Sequence, residues 1–413
     1  MATYTPRLVD PWLRELLDDA PGVMVVGPRA SGKTTSAMRI AKTVFRLDND
    51  EIRLSIAGDP DAVFSDAEPP VLVDEWQLAP NCLAAAKRLI DTDPQPGSFL
   101  FTGSATDTLN NGAWAGTGRF IRIEMWGLTQ REILRTKRTA TFFDTVAAQD
   151  FDGHLELPSS LPDTNQYVDF VLNSGFPEAL ARTSERVRLA WLDSYVDHLV
   201  GRDVELVGEV RDIAKLRRYL AAIATNTAGV PNLQVLLNAA SIDRETANRF
   251  DGLLERIFVT QQIPAWTSNR LTRVGSRRKR YLCEPALVGP LIGLDRRSIV
   301  RNADLLGRVI DSFVVSQLRP EMSLGRFPVS MHHLRQDGKH EIDLILERRD
   351  GAVIAIEVKA GTTVDRNDAR HLIWLRDQLD LNDFRAGIVF HTGKVIRRID
   401  DRIWAVPVCA IWG

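Results

Sequence analysis

Residues 27–35 read GPRASGKTT. They follow the apolar run GVMVVG, which predicts a buried strand, and precede SAMRIAKTVF at 36–45, where apolar residues recur at the spacing of a helix. A glycine-rich turn of the pattern G-x-x-x-x-G-K-[ST] between a strand and a helix is typical of a phosphate-binding loop. The stretch therefore predicts an α/β nucleotide-binding core.

Each residue type in this loop has a role in holding ATP. Gly27 and Gly32 allow the backbone to curl so that its N–H groups point inward, and the helix N-terminus adds positive partial charge. Lys33 is expected to reach the outer phosphates, and the hydroxyl of Thr34 to bind the bridging Mg²⁺. The alternative is a glycine turn in an ordinary strand–helix unit. The predicted ATP-binding residues are Gly27, Pro28, Arg29, Ala30, Ser31, Gly32, Lys33, Thr34 and Thr35.

Length and composition indicate a globular protein with two or three domains. The chain has 413 residues, of which 26% are charged and 44% hydrophobic. No apolar stretch approaches the roughly 18 residues of a membrane span, and the N-terminus carries acids instead of a signal sequence, so we expect a cytoplasmic protein. The three cysteines show no metal-ligand spacing. Because the net charge is −2, any attraction to nucleic acid must come from a local patch.

Acidic and polar side chains follow two further predicted strands. In PPVLVDEWQ, Asp74 is expected to order the magnesium shell and Glu75 to polarise the attacking water, although an acidic pair is also common at a solvated strand end. In GSFLFTGSA, Thr102 and Ser104 are placed to hydrogen-bond the γ-phosphate or that water, unless they only form a turn. These four residues complete the predicted hydrolytic site.

Arg119, in the stretch GTGRFIRIEM, immediately precedes another predicted strand. Its charge suits an arginine finger that reaches the nucleotide of a neighbouring subunit. A repeated head-to-tail contact closes as a ring, so the expected assembly is a homo-oligomer, with a hexamer favoured. The alternative is that Arg119 pairs with a surface carboxylate.

These motifs together resemble a family of bacterial and archaeal AAA+ ATPases whose second half is a domain of long-unassigned function. The resemblance continues in NSGFPEAL, GRDVEL, SIDRETANRFDGLLERIFV and RYLCEPAL. It implies an AAA+ core, a helical and winged-helix-like middle, and a C-terminal α/β domain with the core of restriction-endonuclease-like nucleases. The expected divisions are a P-loop ATPase core at 1–138, a linker and helical lid at 139–211, a winged-helix-like domain at 212–296 and a nuclease-like domain at 297–413.

The middle of the chain contains a predicted helix–turn–helix followed by a basic stretch. In LQVLLNAASIDRETANRFDGLLERIFV, Ser241 or Asp243 is expected to cap the second helix, which either enters a major groove of DNA or packs internally. The stretch TSNRLTRVGSRRKRYL resembles the wing of a winged helix, although basic runs are commonly solvated faces. The candidate contacts to DNA or RNA are Arg270, Arg273, Arg277, Arg278, Lys279 and Arg280.

Two alternating stretches in the C-terminal third, HEIDLILER and AVIAIEVKAG, predict adjacent strands joined by the turn RDG. Side-chain alternation brings Asp343, Glu357 and Lys359 together. Two carboxylates that hold a divalent metal, with a lysine that polarises the attacking water, are the catalytic set of the PD-(D/E)xK nucleases.

The elements around these strands fit the same fold. Helices are predicted at 303–318 and 367–379, and a strand at 385–391. Asp311 stands in the first helix where the resembling family often has the longer glutamate. An alternative is therefore a nuclease-like fold without activity that is kept for interaction or nucleic-acid binding, with its carboxylates solvated.

Two functions follow from the sequence. The leading hypothesis is a Mg²⁺-dependent AAA+ ATPase that uses ATP-driven rearrangement to act on nucleic acid, with nuclease activity in the C-terminal domain. The alternative is an ATP-driven regulatory switch or scaffold that binds a protein partner and carries an inactive nuclease-like domain.

Overall fold

The computed structural model describes residues 4–104, 118–148, 151–204, 212–267, 277–326, 328–336 and 339–413. Two of the six basic residues predicted to contact nucleic acid, Arg270 and Arg273, lie outside these ranges. Within them, no helix combines the length and the apolar character needed to cross a bilayer.

A five-stranded parallel sheet forms the centre of the N-terminal core, in the order β2-β3-β4-β1-β5. Because all neighbouring strands are parallel, the carboxyl ends of β1, β3 and β4 meet at one edge, as the sequence predicts. This edge carries the phosphate loop and the side chains that surround it. The strands are β1 (Gly22–Val26), β2 (Thr43–Arg46), β3 (Val71–Asp74), β4 (Phe99–Gly103) and β5 (Phe120–Glu124).

Among the described residues, six α-helices belong to the same part of the chain as this sheet. They are α1 (Asp10–Asp19), α2 (Lys33–Ala37), α3 (Asp50–Gly58), α4 (Pro60–Ser65), α5 (Asn81–Thr92) and α6 (Gln130–Leu134).

The helix after the phosphate loop is shorter than predicted. It ends at Ala37, and the segment Thr43–Arg46 is the edge strand β2, paired with β3. The helical spacing of Val44 was misleading, because β-branched and aromatic residues such as Thr43, Val44 and Phe45 favour a strand once an open sheet edge offers main-chain partners.

A largely helical segment follows the core. It contains the predicted helix–turn–helix, and of the two candidate caps it is Asp243 that accepts a hydrogen bond from Thr246 N, at 2.7 Å. The elements are α7 (Phe142–Val146), α8 (Thr164–Asn173), α9 (Pro177–Leu180), α10 (Glu185–His198), a π-helical turn (Leu199–Asp203), α11 (Ile213–Thr225), α12 (Leu233–Ala240), α13 (Arg244–Arg256), the antiparallel hairpin β6 (Thr260–Ile263) and β7 (Lys279–Leu282), α14 (Val288–Ile292), α15 (Arg296–Arg301) and α16 (Ala303–Leu318).

The C-terminal part is a six-stranded mixed sheet in the order β12-β13-β11-β10-β9-β8. The predicted adjacent strands are β9 and β10, which run antiparallel, while β10 and β11 run parallel. A continuous hydrophobic core joins this sheet to the helical segment, from Phe142 to Trp412. The elements are β8 (Val329–Gln336), β9 (His340–Arg348), β10 (Val353–Val358), α17 (Arg370–Gln378), β11 (Phe384–His391), β12 (Arg397–Asp400) and β13 (Ile403–Pro407).

Candidate functional site

The two glycines of the phosphate loop are required for different reasons. A Cβ atom on Gly27 would collide with the carbonyl oxygen of Met125, so only glycine allows the loop to leave β1 at this point. Gly32 has a φ of +96°, a conformation that side chains disfavour. Between them, Ala30 also has a positive φ, of 62°. The backbone curl that the sequence predicts is therefore present.

Lys33 is buried at the start of α2 and its ammonium group donates to carbonyl oxygens of the loop. Nζ lies 3.0 Å from the oxygen of Gly27 and 2.8 Å from that of Pro28. Burial lowers the pKa of Lys33 to about 8, against the opposing effect of the Glu75 and Asp74 carboxylates. Among the described residues, no carboxylate is in hydrogen-bond contact with this ammonium, so the buried charge is suited to receive an anion.

Thr34 and Asp74 form the pair of oxygen ligands expected for Mg²⁺. The Thr34 hydroxyl donates to Oδ1 of Asp74 at 2.7 Å, and Asp74 is buried at the end of β3. Hydroxyl and carboxylate oxygens are ligands that Mg²⁺ prefers, so the residues fit the ion that ATP carries. Thr102 donates its hydroxyl to the same Asp74 oxygen, an arrangement that orients the carboxylate.

Glu75 follows Asp74 with a left-handed backbone conformation, at a φ of 58°. Its carboxylate accepts a hydrogen bond from the side-chain amide of Gln77, and the same amide nitrogen lies 3.5 Å from Oγ of Ser104. Gln77 thus links two residues predicted for the hydrolytic site. Sequence reasoning overlooked Gln77, although it stands two positions after Glu75 in the same motif.

Arg7 is a second residue that the sequence did not reveal. Its buried guanidinium donates to the carbonyl oxygens of Ser31 and Trp126, both at 2.6 Å, and to Oε1 of Glu132 at 2.9 Å. It therefore ties the phosphate loop to the chain that leaves β5. Since the partners are 24 to 125 residues away in sequence, no local pattern points to this role.

The phosphate loop also contacts the helical segment. A Cβ on Gly32 would lie 3.7 Å from Cγ of Pro177, at the start of α9. The hydroxyl of Tyr195, on α10, donates to the carbonyl oxygen of Arg29 at 3.3 Å. The stretch NSGFPEAL, which carries the resemblance to the ATPase family, thus lies against the nucleotide loop.

Glu284, in the stretch RYLCEPAL, stabilises the part of the helical segment that contacts the phosphate loop. Its buried carboxylate accepts hydrogen bonds from the backbone N–H groups of Gly175 and Ala286, both at 3.1 Å. Burial raises its pKa to about 7, against the opposing effect of these hydrogen bonds. The carbonyl oxygen of Gly175 in turn accepts from the N–H of Leu128 at 2.6 Å, which joins the helical segment to the end of the core.

Arg119 lies at the amino end of β5, next to Phe120, which is in register with Gly22 at the start of β1. The phosphate loop leaves the other end of β1, so Arg119 is at the opposite edge of the sheet from its own nucleotide site. Its guanidinium is partly exposed and donates to Oδ1 of Asp91 at 2.6 Å. The carboxylate pair weighed as an alternative is therefore present within the subunit.

The expectation that Lys279 and Arg280 offer free charge to nucleic acid is wrong. Lys279 is buried and Arg280 is bound to the carboxylate of Asp251. Both lie in β7, which packs against acidic side chains of other elements, and a buried charge requires such partners. Of the other predicted contacts, Arg277 and Arg278 are described and exposed.

The two exposed arginines line a cleft beside the helix–turn–helix. Its volume is about 600 Å³, and Arg244 and Asn248 of α13 contribute to its wall. Arg277 and Arg278, the two residues that precede β7, line the same cleft. The cleft is lined mainly by cationic and amide side chains, which are groups that bind phosphates and base edges.

Asp343, Glu357 and Lys359 line a second cleft of about 600 Å³, together with Asp311. Lys359 lies 3.2 Å from Oε2 of Glu357, and one Asp343 oxygen accepts from the N–H of Val358 at 3.0 Å. β9 and β10 thus bring the three predicted residues to one site. Burial, together with the charge of Asp343, raises the pKa of Glu357 well above its ordinary value.

Lys279 is a fifth charged side chain at this second cleft, in addition to Asp311, Asp343, Glu357 and Lys359. The ammonium of Lys279 lies 2.7 Å from Oδ2 of Asp311 and 2.9 Å from Oδ1 of Asp343. Among the described residues, no group of three or more His, Cys, Asp or Glu side chains has an arrangement suited to a metal ion. Of the carboxylates predicted to hold a nuclease metal, Asp343 is engaged by Lys279 and Glu357 by Lys359. With the ammonium of Lys279 between Asp311 and Asp343, the arrangement does not fit a divalent ion at that position.

Comparison with protein-family models supports a P-loop core of the AAA type. A model described as an AAA domain matches residues 19–134. Two models described as domains of unknown function, DUF8612 and DUF4143, match residues 164–298 and 306–411. The match to the AAA domain covers the parallel sheet and the phosphate loop.

Comparison with individual proteins found two mycobacterial relatives and a solved structure from Pyrococcus abyssi. The chain is 26% identical over 408 residues to the uncharacterized proteins Mb2031c of Mycobacterium bovis and Rv2008c of Mycobacterium tuberculosis, which covers 96% of this chain and 82% of each relative. The solved Walker-type ATPase PABY2304 of Pyrococcus abyssi is 12% identical, with a TM-score of 0.42, over 68% of this chain and 94% of that chain.

Proposed function

We propose that this protein binds Mg²⁺-ATP at residues 27–35 and hydrolyses it. The observation that carries the proposal is the group formed by Lys33, Thr34 and Asp74. The ammonium of Lys33 is buried and donates to loop carbonyls, while the hydroxyl of Thr34 donates to the carboxylate of Asp74. A core that only bound a neutral ligand would gain nothing from burying this charge.

The residues have distinct roles in this proposal. Lys33 moves its hydrogen bonds from the loop carbonyls to the outer phosphates, which compensates the buried charge. Thr34 and Asp74 would hold the Mg²⁺, and the ion would supply positive charge beside the phosphates. Glu75 accepts a proton from the attacking water, and Gln77 fixes the direction of its carboxylate.

The contacts of Pro177 and Tyr195 with the loop support a coupling between hydrolysis and the helical segment. A loop that closes on phosphates and opens after their release changes its distance to α9 and α10. The segment that follows these helices packs in one core with the C-terminal sheet, so it transmits the movement to the second half of the chain.

Two substitutions test the ATPase. Lys33→Ala removes the group that binds the phosphates, so we expect loss of ATP binding in calorimetry. Glu75→Gln keeps the side-chain shape but removes the base, so binding should persist while phosphate release falls at least about a hundredfold. Hydrolysis by both variants at the wild-type rate would contradict the proposal.

We further propose that nucleic acid binds in the cleft between α13 and β7. Three helices followed by an antiparallel hairpin have the order of a winged helix, and the cleft presents Arg244, Arg277 and Arg278 beside Asn248. Cations at the wing are suited to phosphates, while arginine and asparagine at the start of the second helix are suited to base edges.

Charge reversal tests this contact. Arg277→Glu combined with Arg278→Glu should weaken binding of labelled duplex DNA, single-stranded DNA or RNA. The slope of log affinity against log salt concentration should also become less steep, by the amount expected for the loss of about two phosphate contacts. Arg14→Glu with Arg349→Glu, two exposed positions elsewhere, is the matched control. If wild type binds none of the three polymers, an ATP-driven switch or scaffold for a protein partner is the better function.

Metal-dependent cleavage does not form part of this proposal. The resemblance to nucleases led us to expect it at Asp343, Glu357 and Lys359, but Lys279 engages Asp343 and Asp311. Incubation of the same nucleic acids with Mg²⁺ or Mn²⁺ tests the point directly, because degradation that Asp343→Ala abolishes would restore the nuclease hypothesis.

A further inference from the structure

The ammonium group of Lys279 has a complete set of acceptors between two strands and a helix. It donates to Oδ2 of Asp311 at 2.7 Å, to Oδ1 of Asp343 at 2.9 Å and to the carbonyl oxygen of Asp343 at 3.2 Å. An ammonium has three N–H donors, and each has a partner here. Only 4% of the Lys279 side chain is exposed.

The carboxylates of Asp311 and Asp343 also have hydrogen-bond partners for all their oxygens. Oδ1 of Asp311 accepts from the hydroxyl of Tyr281 at 3.0 Å, and Oδ2 of Asp343 accepts from the N–H of Val358 at 3.0 Å. Each of the four carboxylate oxygens thus already accepts a hydrogen bond. A metal ion bound to both carboxylates would have to displace the lysine.

The charges favour the ammonium form of this lysine. Burial by itself would lower the pKa of Lys279, but the carboxylates of Asp311 and Asp343 outweigh burial and hold the pKa well above its ordinary value. The same lysine lowers the pKa of Asp343 against the effect of burial. The ammonium of Lys279 lies in direct contact with both carboxylates, at 2.7 and 2.9 Å.

We propose that Lys279 is the resident cation of this cluster. Its ammonium takes the place between Asp311 and Asp343 that a divalent ion would occupy, so the cluster excludes divalent metals. The same contacts fix β7, and with it the hairpin β6–β7, to α16 and β9. The proposal stands independently of the ATPase and of nucleic-acid binding, because it concerns only the occupant of the carboxylate site.

Manganese binding without nucleotide tests the proposal. Free Mn²⁺ is counted by electron paramagnetic resonance for wild type, Lys279→Met and Lys279→Arg, and any ion held at the nucleotide site is common to the three proteins. Methionine preserves the length of the side chain but removes the charge. We expect Lys279→Met to bind one Mn²⁺ per chain more than wild type, and Lys279→Arg to behave as wild type.

A third set of variants identifies where the additional ion binds. Adding Asp343→Asn to Lys279→Met should remove the gained Mn²⁺, because one of the two bridging carboxylates is then neutral. Circular dichroism and a thermal melt establish that each variant is folded. A folded Lys279→Met protein that gains no Mn²⁺ would overturn the proposal.

Wild type supplies a test that does not depend on the folding of any Lys279 variant. We expect wild type and the Glu357→Gln variant to bind the same number of Mn²⁺ ions per chain. This substitution changes a carboxylate of the cleft but leaves the contacts of Lys279 with Asp311 and Asp343 in place. If wild type binds Mn²⁺ and Glu357→Gln loses that ion, the carboxylates hold a metal in spite of Lys279 and the proposal is wrong.

Discussion

The hydroxyl of Thr34 lies 2.7 Å from Oδ1 of Asp74, and the hydroxyl of Thr102 donates to the same oxygen. The three side chains come from α2 and from the ends of β3 and β4, which the parallel sheet places next to one another. Asp74 is thus oriented by two donors from the protein alone. Thr102 acts on this carboxylate, in addition to the contact with phosphate or water that its position at the strand end predicted.

Replacing Thr102 with valine removes one of these donors at nearly constant volume. A hydrogen bond to a charged group contributes about 1.5 to 3 kcal/mol, so a misoriented Asp74 should hold Mg²⁺ less well. We expect the Mg²⁺ concentration for half-maximal ATP hydrolysis to rise about tenfold or more. Thr102→Ser, which retains the hydroxyl, is the control. A valine variant with the Mg²⁺ dependence of wild type would show that Thr102 does not position Asp74.

ATP binding should weaken in alkaline solution because of Lys33. Its pKa in the free protein is about 8, since burial disfavours the ammonium form. The phosphates bind that form, so affinity is constant below this pH and falls as pH rises through it. From pH 7 to pH 9 the competent fraction drops about tenfold, and the Kd for ATP should rise by the same factor. Lys33→Arg keeps its charge over this range and should show no such change. A wild-type Kd that is equal at both pH values would contradict the assignment.

Arg7 should determine both stability and nucleotide affinity. Arg7→Ala leaves the carboxylate of Glu132 buried without its cationic partner, and breaking a buried pair in this way costs about 3 kcal/mol or more. We expect a lower thermal midpoint and a smaller increase of that midpoint on adding ATP, because the loop also loses its contact at Ser31.

Two further variants separate the effects of Arg7. Arg14→Ala, at an exposed position of α1, should match wild type in both measurements. Arg7→Lys keeps the charge but cannot form the planar fork that reaches Ser31 and Trp126, so it should recover stability more than ATP affinity. If Arg7→Ala behaves as Arg14→Ala, the proposed support of the loop is absent.

Local patterns were sufficient to predict much of the fold. The phosphate loop follows a continuous apolar run, and Asp74 ends another, so each could be located within about ten residues of sequence. In the same way, alternation predicted β9 and β10, which contain Asp343 and Glu357. The strand at 43–46 was not predicted, because so short a segment fits the spacing of a helix as well as that of a strand. Only its pairing with β3 decides in favour of the strand.

Contacts between distant segments could not be predicted in this manner. Lys279 belongs to a run of basic residues, and composition alone favours an exposed face for such a run. Its partners Asp311 and Asp343 lie 32 and 64 residues further along the chain, so its burial depends on how the hairpin packs against α16 and β9. The role of Arg7 could not be predicted for the same reason, because its partners are also distant in sequence.

Arg119 provides the prediction about assembly. It lies at the opposite edge of the sheet from its own phosphate loop and donates to Asp91 at 2.6 Å. We propose that in a homo-oligomeric ring, a hexamer in the favoured form, Arg119 leaves Asp91 and reaches the nucleotide of the neighbouring subunit. An arginine in this role contributes about 10³ to 10⁵ in rate. Arg119→Ala should therefore bind ATP normally and lose nearly all turnover.

Because Arg119 would have to leave Asp91 to reach the neighbouring nucleotide, a variant at Asp91 is the matched control. Asp91→Asn releases Arg119 without removing it, so this variant should hydrolyse ATP at least as fast as wild type. Mixing Arg119→Ala with Lys33→Ala subunits should restore part of the activity, because an intact Arg119 of one subunit then serves the intact loop of the next. Light scattering with ATP present reports the assembly. A monomer that hydrolyses ATP normally without Arg119 would instead assign this arginine to its surface pair with Asp91, since such pairs form without any role in catalysis.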